Sequence, residues 1–167
     1  MPMLFDAMIP VFIVIFTIVI MECIATAVHK YIMHGWGWGW HKSHHEQHDH
    51  VFEKNDLFAL AFSALAIVLF IIGMYNWVIW WIAIGVTAYG AIYFLMHDVL
   101  VHRRWGPVYL PRKGYLKRIY QAHRLHHVKN TRTGCVSFGF IYAKPIDKLL
   151  KNLRIERKGH RPSGEDK

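Results

Sequence analysis

Cysteine is almost missing from this chain of 167 residues: only Cys23 and Cys135 occur, and they form no CxxC pair. A disulfide-stapled fold and a thiolate metal knot are thereby excluded, and a reducing compartment fits. Cys135 reads as a small apolar filler rather than a metal ligand. Charge is the second scarcity. From Ala7 to Val28 only Glu22 is charged, and from Leu57 to Met96 no residue is. No Lys or Arg opens the chain and no small-residue cleavage site follows the first apolar run, so that run reads as a retained transmembrane helix. The sequence has no GxGxxG fingerprint for a dinucleotide. No Glu is followed three residues later by His, which excludes the ExxH motif of soluble di-iron bundles.

Apolar residues and histidines are what the chain does have. It is 54% hydrophobic and 15% aromatic, too apolar for an ordinary soluble protein of this length. The expected fold is all-α, an integral membrane helical bundle forming one domain over residues 1–157. The uncharged stretch Leu57–Met96 would reach about 60 Å as one helix, twice a hydrocarbon layer of about 30 Å. It must therefore fold back, with the turn at Gly73, Met74, Tyr75 and Asn76. The expected spans are 8–28, 57–75 and 77–96, giving three transmembrane helices, four at most. With three spans, residues 29–56 and 97–167 share one side. All twenty Lys and Arg residues lie on that side, which the positive-inside rule makes cytoplasmic, in a bacterial inner membrane. The formal charge of +9 is thus gathered on a single surface. That surface meets membrane lipid headgroups or an acidic electron-donor protein, and no nucleic-acid partner is expected.

Ten of the thirteen histidines fall into four clusters: His29/His34, His41/His44/His45, His97/His102 and His123/His126/His127. Each cluster follows or adjoins an apolar stretch. Histidines at i, i+3 and i+4 leave one face of a helix toward a common point, and Gly114–His127 carries its triplet at the end of an apolar stripe through Leu116, Ile119 and Tyr120. The pairs at i, i+5 stand about 140° apart on an ideal helix, so each is expected to straddle a helix end. Imidazole suits iron, zinc, copper and nickel alike. One zinc takes about four ligands, so ten imidazoles imply two metals.

Several residues are ambiguous on sequence alone. Asp98 is an orienting acceptor for His97 or an ordinary helix-end carboxylate. Glu22, ionisable within an apolar helix, has a role at the site or snorkels to the interface. The run Trp36-Gly-Trp-Gly-Trp40 reads as an interfacial aromatic belt with flexible turns. His48 and His50 read as solvated and His160 as surface. Ile146, Leu149, Leu150 and Leu153 outline a short amphipathic helix over the membrane, and 158–167 a disordered basic tail.

The order HxxxxH, HxxHH, HxxxxH, HxxHH resembles the bacterial β-carotene 3-hydroxylases of the fatty-acid-hydroxylase superfamily. The resemblance extends to the flanking residues His29-Lys-Tyr-Ile-Met-His34, His97-Asp-Val-Leu-Val-His102, Pro111-Arg-Lys-Gly-Tyr-Leu-Lys-Arg118, Ala122-His-Arg-Leu-His-His127 and Gly134-Cys-Val-Ser-Phe-Gly-Phe140. It covers the chain to about Leu153. It implies a non-haem di-iron monooxygenase with the ten clustered histidines as metal residues. The implied reaction uses O₂ to hydroxylate C3 of the β-ionone rings of β-carotene, giving β-cryptoxanthin and then zeaxanthin, with canthaxanthin a further substrate on the way to astaxanthin. Electrons would come from an external ferredoxin or an NAD(P)H-linked reductase. Val99 and Trp105-Gly106-Pro107 depart from the family pattern and bear on the shape of the substrate channel.

Three other readings remain at this stage. The same di-iron logic would serve a sterol or fatty-acyl hydroxylase or a desaturase. A metal transporter would need ligands along a path through the bilayer, and both hairpin spans lack them. A di-haem cytochrome would set axial histidines singly on facing helices.

Overall fold

In the computed structural model, residues 2–46, 50–106 and 109–159 are described, and among them every regular element is helical. In chain order these are α1 (Pro2–Ala27), a π-helical turn π1 (Val28–Trp36), α2 (Trp38–His45), α3 (Asp56–Gly73), α4 (Trp77–Tyr93), a second π-helical turn π2 (Phe94–Val101), α5 (Gly114–His126) and α6 (Ile146–Gly159). Three rods are long and apolar enough to cross a membrane: Ala7–Trp36, Asp56–Gly73 and Trp77–Val101. The first and third are longer than expected because the π turns continue α1 and α4 past the hydrocarbon.

The hairpin turns where the sequence places it. Asn76 caps α4, its side-chain oxygen accepting from Val78 N at 3.0 Å and Ile79 N at 3.3 Å, which satisfies two of the helix's orphan donors. Gly73 admits the close return, since a Cβ there would stand 2.8 Å from Trp80 backbone atoms. α4 packs against both α3 and α1. The α1–α4 crossing depends on Gly85, where a Cβ would meet Thr17 Cβ at 2.6 Å. Small residues at such crossings let apolar helices approach closely without a hydrophobic driving force between them.

The C-terminal part caps one end of this bundle. Leu149 and Leu153 of α6 bury themselves with Ile119 and Ala122 of α5 and with Val136. Leu149 and Leu153 of α6 are therefore spent on α5, while Leu150 of the same expected face stays exposed. α6 ends at Gly159, and the rest of the expected tail, with His160, lies outside the described residues, as does His48. His50 is exposed.

Candidate metal centre

All ten clustered histidines converge in the cap, and none lies in the middle of a span. The first HxxxxH pair corrects the helix-end expectation, since His29 and His34 both lie inside π1, whereas His97 and His102 straddle the end of π2 as expected, His102 being its C-cap. In π1 and π2 the turn closes between residues five apart, Gly37 N donating to Ile32 O and His102 N to His97 O, both at 2.9 Å. Such winding returns the fifth residue to the face of the first, so His29 and His34 both face inward and His97 and His102 likewise. The spacing itself was the available signal. Near the end of π1, Gly35 leaves helical backbone geometry (φ −101°, ψ −127°), and the chain enters α2, whose His41, His44 and His45 are all buried.

Ring nitrogens divide the ten into two sets. Nε2 of His41 lies 3.1 Å from that of His29 and 3.2 Å from that of His45, while His34 and His126 face each other at 3.1 Å. Rings of these two groups adjoin, His29 and His126 having centroids 4.5 Å apart. In the second set, His97 and His44 approach at 3.0 Å, and His123 lies 3.0 Å from His102 and 2.9 Å from His127. Each set thus holds five imidazoles, and the sets touch where His45 stacks on His127 at 4.4 Å. Cys135 comes within 4.8 Å of ligand atoms of His45 and His126.

Seven of these rings have their other nitrogen committed. Nδ1 donates to a carbonyl in His29 (Phe138 O, 2.9 Å), His34 (Arg132 O, 3.0 Å), His45 (Lys129 O, 3.1 Å) and His126 (Val136 O, 3.2 Å). His41 donates to Asn55 Oδ1 at 2.7 Å, His44 to Glu53 Oε1 at 2.7 Å and His97 to Asp98 Oδ1 at 2.9 Å. Carbonyls and carboxylates accept only, so the single proton of each neutral ring sits on Nδ1. Four of the six Nε2 contacts then set bare lone pairs about 3 Å apart, a repulsive arrangement unless a cation lies between them. Two nitrogens about 2.1 Å from one ion stand about 3 Å apart at a right angle, so the donor set fits two metal ions.

Burial favours the neutral form of His41, His44, His45, His102, His123, His126 and His127. It pushes His41 down to about 3, with the Asn55 hydrogen bond opposing, and His45 down to about 4, with His34 adding to the effect. Burial, followed by crowding of neighbouring imidazoles, holds His44, His102, His123 and His126 well below the ordinary histidine value and lowers His127 too. Neutral imidazole is the form that binds metal.

Sequence reasoning missed Glu53, Asn55 and Arg104. Arg104 ties the second set's carboxylates together, donating to Asp98 Oδ1 at 3.1 Å and Asp56 Oδ2 at 2.7 Å and lying 3.6 Å from Glu53 Oε1. Asp98 is thus an orienting acceptor for His97. Glu22 hydrogen-bonds not to a histidine of the site but to the loop beside it. Its Oε1 accepts from the amides of Phe140, Ile141 and Tyr142 at 2.8 to 3.0 Å, and its Oε2 from the Tyr89 hydroxyl at 2.8 Å. It pins to α1 the loop whose Val136 and Phe138 carbonyls orient His126 and His29. Trp38 also departs from the belt reading: its ring lies 5.2 Å from His34 and 5.3 Å from His45, walling the first set, while Trp36 faces outward.

Residues 14–152 match the fatty acid hydroxylase family over most of the chain. The chain belongs to that family. Among curated members, it is 59% identical over 144 residues to a beta-carotene hydroxylase of Paracoccus sp. (strain PC1), covering 85% of this chain and 89% of that protein. It is 57% identical over 150 residues to a beta-carotene hydroxylase of Pantoea ananas, covering 89% and 85% respectively. A chloroplastic beta-carotene 3-hydroxylase 1 of Arabidopsis thaliana is 30% identical over 143 residues, 82% of this chain and 46% of that protein. No solved structure matches the chain. In this family member, two five-histidine sets at the head of apolar spans have neither the through-membrane path of a transporter nor the singly facing ligands of a di-haem protein.

Proposed function

We propose that this protein hydroxylates β-carotene at C3 of its β-ionone rings, giving β-cryptoxanthin and then zeaxanthin, with ketocarotenoids such as canthaxanthin as further substrates. The observation that carries the reading is the gathering of ten imidazoles at the membrane end of the bundle, eight of them in two groups of four with ligand atoms within 4.8 Å of one another, in a chain most of whose length is shared with beta-carotene hydroxylases. Each ring carbon gains one oxygen atom from O₂, and the other leaves as water with two electrons and two protons from outside.

Iron suits these sets among the metals imidazole accepts. Two irons held there would supply the oxidant that an unactivated C–H bond requires. The chain's own residues do the rest. The first set is oriented by the backbone carbonyls of Phe138, Arg132, Lys129 and Val136, and the second by Glu53 and Asp98 under Arg104. Carboxylate acceptors raise the donor strength of the rings they hold. Phe138 and Phe140 close the site from the loop side, with Phe140 stacked on His29 at 5.1 Å, and exclude water from it. Electrons arrive from an acidic ferredoxin or a similar reductase at the basic face of the cap. Positive charge sets that face in the cytoplasm of a bacterial inner membrane.

Expression in a β-carotene-accumulating bacterium tests the reading. Zeaxanthin should accumulate with the native chain and disappear with His126→Ala, while both proteins reach the membrane equally. Unchanged pigment with the native chain, or zeaxanthin from the variant, would overturn it.

A further inference from the structure

Among α1, α3 and α4, beneath the histidines, lies a cavity of about 590 Å³. Its walls come from Met21 and Ala25 of α1, Phe62 and Ala66 of α3, and Val86 and Gly90 of α4. Of the four hydroxyl side chains in its wall, three are already spent, Ser63 donating to Ala59 O, Thr87 to Ala83 O and Tyr89 to Glu22, and the fourth belongs to Tyr93. Asp98, also in the wall, is held by His97 and Arg104. An occupant therefore meets a mostly apolar surface.

The two sides of the cavity differ. On its lipid-facing side Ile67, Gly90 and Ala91 line it and are exposed on the flanks of membrane-spanning helices, so it opens to lipid rather than to water. At the inner end Tyr93 and Phe140 meet edge to face at 4.8 Å. Tyr93 stacks on His97 at 4.7 Å and Phe140 on His29 at 5.1 Å. A single layer of aromatic rings thus separates the cavity from one histidine of each set.

Gly90 has no packing reason to be glycine. A Cβ at Gly73 or Gly85 would collide with a neighbouring helix, whereas at Gly90 it meets no heavy atom within 4 Å. Glycine in a helix interior is destabilising, and here what its small size leaves is open space.

We propose that this cavity, entered sideways from the bilayer, seats one cyclic end of the carotenoid against the Tyr93–Phe140 wall while the polyene trails into lipid, and that Gly90 sets the width of its mouth. The proposal rests on the carotenoid reading. The volume lies within the roughly 300–1,000 Å³ of ligand sites, enough for one ring and the adjoining polyene. An apolar, lipid-open slot suits a hydrocarbon that never enters water.

The test uses the full-length, metal-loaded protein in detergent, with Gly90→Ala, Gly90→Leu and Gly90→Phe. Val68→Phe serves as a control, because Val68 is exposed on α3 and absent from the cavity wall. Three quantities are read: β-carotene retained per chain by its visible absorbance, metal per chain, and hydroxylation rate. Retained pigment and rate should fall with side-chain size, at least ~10-fold for Gly90→Phe, with metal content unchanged and Val68→Phe like the native protein. Equal pigment retention in Gly90→Phe, loss that appears only together with metal, or equal damage from Val68→Phe would overturn the proposal. If the native protein binds β-carotene in this size-dependent way without converting it, the cavity assignment stands and the hydroxylase reading falls. A native protein that binds none overturns the cavity assignment.

Discussion

Glu53 shows how one side chain governs a ligand it does not replace. Its carboxylate accepts from His44 Nδ1 at 2.7 Å, both side chains being nearly inaccessible to solvent, and thereby fixes the tautomer that turns Nε2 inward. Removing the charge while keeping the shape should weaken metal binding without unfolding the cap. Glu53→Gln is therefore expected to lower metal affinity roughly 10- to 100-fold, read as faster metal loss to a chelator at an unchanged melting temperature of the metal-free protein. Native retention in that variant would show that His44 needs no carboxylate. Glu22 works at the same scale by another route. Its three amide acceptances carry no charge to the site, yet they place the carbonyls that His29 and His126 require.

At the level of elements, the π turns decide which histidines meet. Were π1 an ordinary α-helix, the residue sharing the face of His29 would be Met33, four positions on. Instead Met33 lines the lipid-side cavity and His34 joins the metal set. The double variant Met33→His/His34→Ala, which supplies the spacing an α-helix would want, should lose metal from the first set. Metal analysis at native stoichiometry in that variant would contradict the π winding. α5 follows the opposite rule. His123, His126 and His127 use ordinary helical spacing, with His127 at the C-cap, and so the triplet was readable without knowledge of the backbone.

For the whole molecule, the consequence of gathering ten imidazoles in one place is a dependence on pH. His41 and His45 titrate near 3 and 4 in the folded protein against about 6.5 in an unfolded chain. Between those values the unfolded state binds more protons, so stability falls as pH falls. The metal-free protein in detergent should melt at a constant temperature above about pH 7 and at progressively lower temperatures from about 6.5 toward 4. A flat or rising profile across that window would mean the rings are not buried together. Metal should shift the decline to lower pH, because it binds the folded, deprotonated rings.

Much of this protein is local in origin and was legible from the chain alone. The uncharged stretches set the spans, Gly73 to Asn76 set the turn, span parity brought the histidines to one side, and histidine spacing marked the site. Hydropathy and side-chain direction depend on near neighbours, which is why those inferences held. Tertiary structure decided what depends on distant partners. No sequence pattern marks the carbonyls of Arg132 or Phe138 as acceptors, since every residue has one. Nor does a pattern say that Glu22 would anchor a loop near residue 140 or that Leu149 and Leu153 of α6 would be spent on α5. The division of ten imidazoles into two sets of five is likewise a property of packed geometry, because the members of each set come from segments far apart in the chain.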